Sequence, residues 1–97
     1  PPGYTHYAAA KGGVTMLAKS LALEVGAEGI RVNSLHPGLI RTAMTEPFPE
    51  QALAPMIPLK RFGLPEEMAS AILFLASDRS KFMTGAELVA DGGFTVQ

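Results

Sequence analysis

Ile30-Arg31-Val32-Asn33-Ser34-Leu35-His36-Pro37-Gly38 is the stretch whose reading decides the fold. Its first six residues are rich in β-branched and apolar side chains and predict a strand over 30–35. Pro37-Gly38 ends it abruptly. Just upstream, across a turn bracketed by Gly26 and Gly29, the pattern is helical. A long helix, a short turn and a strand make half of a βαβ unit, and such units build parallel sheets with helices on their faces. In these sheets ligands bind beyond the carboxyl ends of the strands. A ligand is therefore expected at the loop that starts with His36-Pro37-Gly38.

Upstream, Thr5 is a suitable N-cap for a helix over 5–28. Ala10, Val14, Leu17, Leu21 and Val25 form one apolar stripe at helical spacing, expected to be buried against a sheet. Ala8, Thr15, Ala18 and Ala22 form a second, small-residue face. Gly12-Gly13 costs about 1 kcal/mol per glycine relative to Ala inside a helix. Such a cost predicts close packing there, for instance by a helix of a partner subunit.

At the mouth of this helix stands Tyr7-x-x-x-Lys11. Residues four apart lie on one helix face, so a phenol and an ammonium become neighbours. A free phenol, with a pKa of about 10, is a poor proton donor or acceptor at neutral pH. Bringing it near neutrality takes roughly 3–4 kcal/mol. One cation at about 4 Å supplies about 1 kcal/mol in water and about 4 kcal/mol at an effective dielectric near 20. The pair thus serves acid/base chemistry only where a cleft or a cofactor excludes water. Elsewhere it is an ordinary surface contact.

Downstream of the strand, residues 39–58 read as a loop-rich insertion with a short helical patch at 50–54. Apolar side chains beside a cleft suit a substrate lid, and equally a plain connector. Pro65-Glu66-Glu67 opens a helix, with proline in the first turn and acids at the positive end of the dipole. Met68, Ile72, Leu75 and Ala76 are its expected buried side. Thr84-Gly85 leads into a short strand over 87–90, closed by Asp91-Gly92-Gly93. The order helix, strand, lid, helix, strand contains no internal repeat and no second domain.

Composition removes several classes. The 97 residues carry a formal net charge of −1, and no cluster of Lys and Arg marks a nucleic-acid surface. Without cysteine there is no disulfide and no thiolate metal site. The longest apolar run, 71–76, is too short to span a bilayer. No metal-ligand spacing is present, and neither a membrane nor a nucleic-acid partner is expected. The loop-like start at Pro1-Pro2-Gly3, without an initiator Met, leads to the expectation of a C-terminal piece of a longer, cytoplasmic protein.

Taken together, Tyr7-x-x-x-Lys11, Ile30-Arg31-Val32-Asn33, Pro37-Gly38 followed by Thr42, Thr84-Gly85 and Asp91-Gly92-Gly93 resemble the classical short-chain dehydrogenase/reductase family along essentially the whole chain. The finer likeness of 33–38 and of Gly85-Ala86-Glu87 is to bacterial hydroxysteroid dehydrogenases of the 3α/20β type. The resemblance implies an α/β fold: the C-terminal portion of a Rossmann-like, doubly wound parallel sheet, 1–97 being part of a single domain. It implies interconversion of a secondary alcohol and a ketone with NAD or NADP. Tyr7 would be the acid/base, and Lys11 would lower its pKa and bind the ribose of the cofactor. Pro37 and Gly38 would shape the turn beside the nicotinamide. The Ile40 backbone would hold the carboxamide, and the Thr42 hydroxyl would contact the carboxamide or the adjacent phosphate. Leu39, Met44 and Phe48 would belong to the substrate loop. The family's serine, glycine-rich loop and relay asparagine have no counterpart among these residues, so a chain of this extent is not expected to fold stably or turn over alone.

The resemblance also implies a homo-oligomer, a tetramer or dimer, acting on a small alcohol or ketone. A rival reading keeps the motif but not the chemistry: a non-catalytic module that uses the two-faced helix for subunit pairing. His36 is expected to be structural or part of the substrate wall. Asn33 is expected to satisfy backbone groups near the strand. Arg41, Lys60 and Arg61 are expected as surface charges, and Met56, Ile57 and Phe62 as core.

Overall fold

The computed structural model describes residues 4–96, with side chains from Ala8 onward. Helix α1 spans Tyr4–Val25, strand β1 Ser34–Pro37, helix α2 Glu50–Leu53, helix α3 Pro65–Ala76 and strand β2 Glu87–Ala90. Ser34 N–H donates to Ala86 O at 2.9 Å, and Gly38 N–H to Ala90 O at 3.2 Å. The offset is the same four residues further along both strands, which is the pattern of a parallel pair. The fold is α/β, that of the C-terminal portion of a Rossmann-like parallel sheet. The chain divides into two compact units, Pro1–Ser34 with Ser80–Leu88, and Leu35–Arg79 with Val89–Gln97.

In the first unit α1 continues into a single 3-10 turn and stops at Gly29, whose φ of 77° is one that side chains resist. Its buried positions are the small ones. Ala18 is 8% exposed and Ala22 6%, whereas Leu17 is 60% exposed and Val14 is likewise open to solvent. This corrects the expected facing of the helix. Ala22 lies against the turn at Gly85, where a Cβ would stand 3.6 Å from that of Ala22. Lys19 Nζ donates to Gly85 O at 3.0 Å and lies 3.7 Å from a Glu87 carboxylate oxygen. Only short side chains let a helix approach a backbone turn this closely. Nothing lies within 4 Å of a Cβ built on Gly12 or Gly13 among the described residues, and the close packing expected there is not made by them.

The strand is shorter at its start than expected, since residues 30–33 lie outside it. Their polar groups are met largely by side chains. Asn33 Nδ2 donates to Met83 O at 3.1 Å, and its Oδ1 accepts from Ala86 N–H at 3.0 Å. Val32 N–H donates to Thr84 Oγ1 at 3.0 Å, and Gly85 N–H to Val32 O at 2.7 Å. Arg31 reaches Ser80 Oγ and Met83 O, both at 3.2 Å. The β-branched composition is real, but an amide and a hydroxyl stand in for ladder partners.

The second unit has a small core in which Ile57 and Phe62 are each 2% exposed, while Met56 lies outside it. His36 is buried, as a structural role requires. Helix α3 begins at Pro65 as its Pro-Glu-Glu opening predicts, and Glu67 Oε1 accepts Leu64 N–H at 2.9 Å, satisfying a donor that the helix start leaves open. Its expected buried face is only half realised: Met68 and Leu75 are half-buried, but Ile72 is 56% exposed and Ala76 is exposed. Gly92 and Gly93 take φ of 66° and 94°, and Cβ atoms there would meet Ile57 Cγ2 at 2.8 Å and Pro58 Cβ at 2.9 Å. Glycine is needed here for both conformation and space.

Candidate functional site

The loop beyond the carboxyl end of β1 is held from two directions. Ile40 and Gly63 form a parallel bridge, in which Gly63 N–H donates to Leu39 O and Arg41 N–H to Gly63 O, both at 2.8 Å. Alternate peptide groups of an extended segment point to opposite sides, so the Ile40 N–H and C=O face away from Gly63. The Ile40 carbonyl accepts the Thr45 hydroxyl at 2.6 Å. The Ile40 N–H makes no hydrogen bond among the described residues. A donor is thus left open where an α/β sheet binds its ligands.

Thr45 then closes a turn. Its Oγ1 accepts Thr42 N–H at 2.8 Å, while Thr42 O accepts the N–H of Thr45 at 3.2 Å and of Glu46 at 3.0 Å. Thr42 itself is exposed, and its hydroxyl has no partner among the described residues. Pro37 is exposed at the end of β1. At Gly38 a Cβ would come within 2.6 Å of Asp91 Cβ, so glycine is required by a close approach of backbone. Leu39 is half-buried and, with Ile40, Leu59, Met68 and Asp91, lines a cavity of about 210 Å³. Met44 and Phe48 are exposed, and the loop between them runs into α2.

Charge around this loop is paired. Arg41 makes a two-pronged contact to Glu50, at 3.1 Å from Nε and 3.1 Å from Nη2. Glu50 also accepts Phe62 N–H at 3.1 Å. That backbone bond, then Arg41, hold its carboxyl below the usual value against the opposing effect of burial. Arg61 grips Glu67 at 2.7 and 2.8 Å, and that contact, with the Leu64 N–H, lowers the Glu67 carboxyl to about 2. Burial raises the Asp91 carboxyl, yet the Thr95 hydroxyl and the N–H groups of Gly93, Thr95 and Phe94 outweigh it and leave it lowered. Lys60 Nζ donates to Pro55 O at 2.7 Å. The arginines and lysine are surface charges as expected, and each is also tied to a partner. Their acidic partners lie nine and six residues away, at spacings that only the folded loop brings together.

Tyr7 and Lys11 lie one turn apart on α1, which is unbroken from Tyr4 to Val25. Lys11 is half-buried, and the Tyr7 side chain falls outside the described residues. Among the described residues no group of three His, Asp or Glu is gathered to hold a metal. None of their helices is long and apolar enough to cross a membrane. Sequence reasoning missed Thr45, although Thr-x-x-Thr directly after an extended segment is itself a turn signal.

A family model described as enoyl-(acyl carrier protein) reductase matches residues 1–95. The chain belongs to the short-chain dehydrogenase/reductase family. Within that family, the 3-oxoacyl-[acyl-carrier-protein] reductase FabG of Thermotoga maritima is 50% identical over 98 residues, covering 98% of this chain and 40% of its own length. The 3-alpha-(or 20-beta)-hydroxysteroid dehydrogenase of Mycobacterium tuberculosis is 49% identical over 87 residues, covering 90% of this chain and 33% of its own. The solved 4-hydroxyisoleucine dehydrogenase complexed with NADH superposes with a TM-score of 0.86 at 42% identity, covering 94% of this chain and 40% of that one. The chain thus spans about 40% or less of the length of these short-chain dehydrogenases/reductases. The likeness to hydroxysteroid dehydrogenases expected from 33–38 is present, and it is equalled by that to 3-oxoacyl-[acyl-carrier-protein] reductases.

Proposed function

We propose that this chain is the C-terminal part of a single oxidoreductase domain that interconverts a secondary alcohol and a ketone with NAD or NADP. The observation that carries the reading is the open Ile40 N–H at the carboxyl end of β1, on a segment whose Leu39 and Ile40 carbonyls and Arg41 N–H are tied down. A nicotinamide carboxamide presents the matching acceptor, and the exposed Thr42 hydroxyl offers a second polar contact to that group or to the adjacent phosphate. Solved relatives hold NADH. When bound, the cofactor supplies or removes the hydride.

The remaining steps fall to this chain. Tyr7 donates its phenolic proton to the carbonyl oxygen during reduction and takes it back from the alcohol during oxidation. Lys11, one helical turn on, favours the phenolate electrostatically and has further donors for ribose hydroxyls. Pro37 and Gly38 set the path of the chain beside the ring. Leu39, Met44 and Phe48 supply apolar contact to the substrate. Steroids, acyl thioesters and alicyclic ketones all satisfy that chemistry. The working location in this reading is the cytoplasm.

Tyr7→Phe in the complete protein tests the proposal. The expected result is a fall in kcat/KM of about 10²–10⁴-fold with NADH or NADPH binding nearly intact. Turnover at the parent rate would refute the role of Tyr7.

A second reading rests on α1, whose Val14 and Leu17 are exposed and whose Gly12-Gly13 edge is open. Here the helix pairs subunits into a homodimer or homotetramer, and the motif is inherited without chemistry. An upstream sequence lacking the glycine-rich loop and the serine would favour it.

A further inference from the structure

We infer that Thr45 is a positioning residue for the nicotinamide-binding segment, acting through the Ile40 and Thr42 backbone and not by touching the cofactor; this rests on the oxidoreductase reading above. A hydroxyl has one proton to donate and lone pairs to accept with. The Thr45 proton goes to Ile40 O at 2.6 Å, the shorter of its two acceptors, the other being Thr42 O at 3.2 Å. A lone pair receives Thr42 N–H at 2.8 Å. One half-buried side chain thereby fixes the peptide groups on both sides of Arg41.

The consequence concerns Thr42, whose exposed hydroxyl offers a polar contact to the carboxamide. The Ile40 N–H belongs to the Leu39–Ile40 peptide, which Gly63 N–H holds through Leu39 O, whereas the Arg41–Thr42 peptide is held through its N–H by the Thr45 hydroxyl. Without that hydroxyl, Ile40 O and Thr42 N–H each lose a partner. The Ile40–Arg41 peptide keeps its bond from Arg41 N–H to Gly63 O, and the Arg41–Thr42 peptide is left free to turn. The Thr42 hydroxyl remains present but is no longer firmly aimed. Its contribution falls because ordering it must then be supplied by the ligand. The backbone bonds from Thr45 N–H to Thr42 O and from Phe48 N–H to Thr45 O do not need the hydroxyl, so the turn itself persists.

The test uses the complete protein with Thr45→Val, which keeps the shape and removes the hydroxyl, and Thr45→Ser, which keeps the hydroxyl. Binding of NADH and NADPH is measured by fluorescence, and binding of ADP-ribose or its 2′-phosphate, which lack the nicotinamide, by calorimetry. The expected result is about tenfold weaker binding of the preferred dinucleotide to Thr45→Val. ADP-ribose affinity and melting temperature should stay unchanged, and Thr45→Ser should recover at least half of the loss on a logarithmic scale. Equal loss for ADP-ribose and dinucleotide would mean general disruption and overturn the inference. So would parent-like dinucleotide binding by Thr45→Val, which leaves the oxidoreductase reading standing. If the parent protein binds neither NADH nor NADPH, that broader reading fails, and this inference with it.

Discussion

The two units solve the same problem, fixing loops next to strand ends, by opposite means. Around Asn33 the first unit uses an uncharged side-chain amide and hydroxyls to satisfy backbone groups, while the largest apolar side chains of α1 remain uncovered. Around Gly38 and Gly92 the second unit brings backbones into contact, closes a small core on Ile57 and Phe62, and clasps its surface with arginine–carboxylate pairs. One region is specified by hydrogen-bond direction and the other by steric fit and charge. They should therefore break differently.

The largest effect belongs to Gly38→Ala. The added Cβ would sit 2.6 Å from Asp91 Cβ and 2.8 Å from Asp91 Cα, and backbone cannot swing aside as a flexible side chain can. A loss of about 3 kcal/mol is expected, read as a shift of the urea midpoint. A shift under about 0.5 kcal/mol would show that the approach is softer than its geometry. Asn33→Ala comes next. It orphans Ala86 N–H and leaves Met83 O with its bond from Arg31 alone, for a loss of about 2 kcal/mol. Hydrogen exchange should report faster opening at the Gly85 and Ser34 amides, and unchanged rates there would contradict the assigned role.

The smallest effect is electrostatic. The Glu67 carboxyl is lowered from 4.5 to about 2 in the folded protein, so the unfolded chain takes up its proton first. The stability it contributes is complete above about 4.5 and lost as pH falls toward about 2. Glu67→Gln should flatten the acid limb of the stability–pH curve between those values. Because the pair is exposed, the change should be modest and should shrink in salt. The Asn33 pairing has no charge to titrate. An unaltered acid limb in the variant would remove Glu67 from the account.

Much of this was legible in the sequence. The long helix with its glycine-terminated end, the Pro65-Glu66-Glu67 start of α3, the backbone-satisfying role of Asn33 and the closure at Asp91-Gly92-Gly93 all follow from local chemistry. What was hidden depends on partners distant in sequence. Ala18 and Ala22 are buried in preference to Val14 and Leu17 because the turn at Gly85 admits only short side chains, and no helical periodicity reports that turn. Strand β1 begins late because Asn33 and Thr84 replace ladder partners. For the candidate site, the family landmarks located the loop after β1, but not the hydroxyl that orders it. Thr45 acts across spacings of three and five residues through its side chain, a geometry that hydrophobic pattern does not encode.

The Asn33 pairing also bears on how the protein ages. Asn-Ser is a sequence in which the following backbone nitrogen attacks the side-chain carbonyl carbon and expels the amide nitrogen as ammonia, forming a succinimide that water opens to aspartate or isoaspartate. Here the Ser34 N–H is committed to Ala86 O, and both polar atoms of the Asn33 amide are held. The fold thus protects its own amide from chemical decay. Each opening suspends that protection. The product carries a carboxylate, which cannot donate to Met83 O, so a molecule damaged while open is denied the contact that would have shielded it. Peptide mapping of Asn33 after incubation at increasing urea should count those openings, and a decay rate independent of urea would show that the fold offers no such shelter.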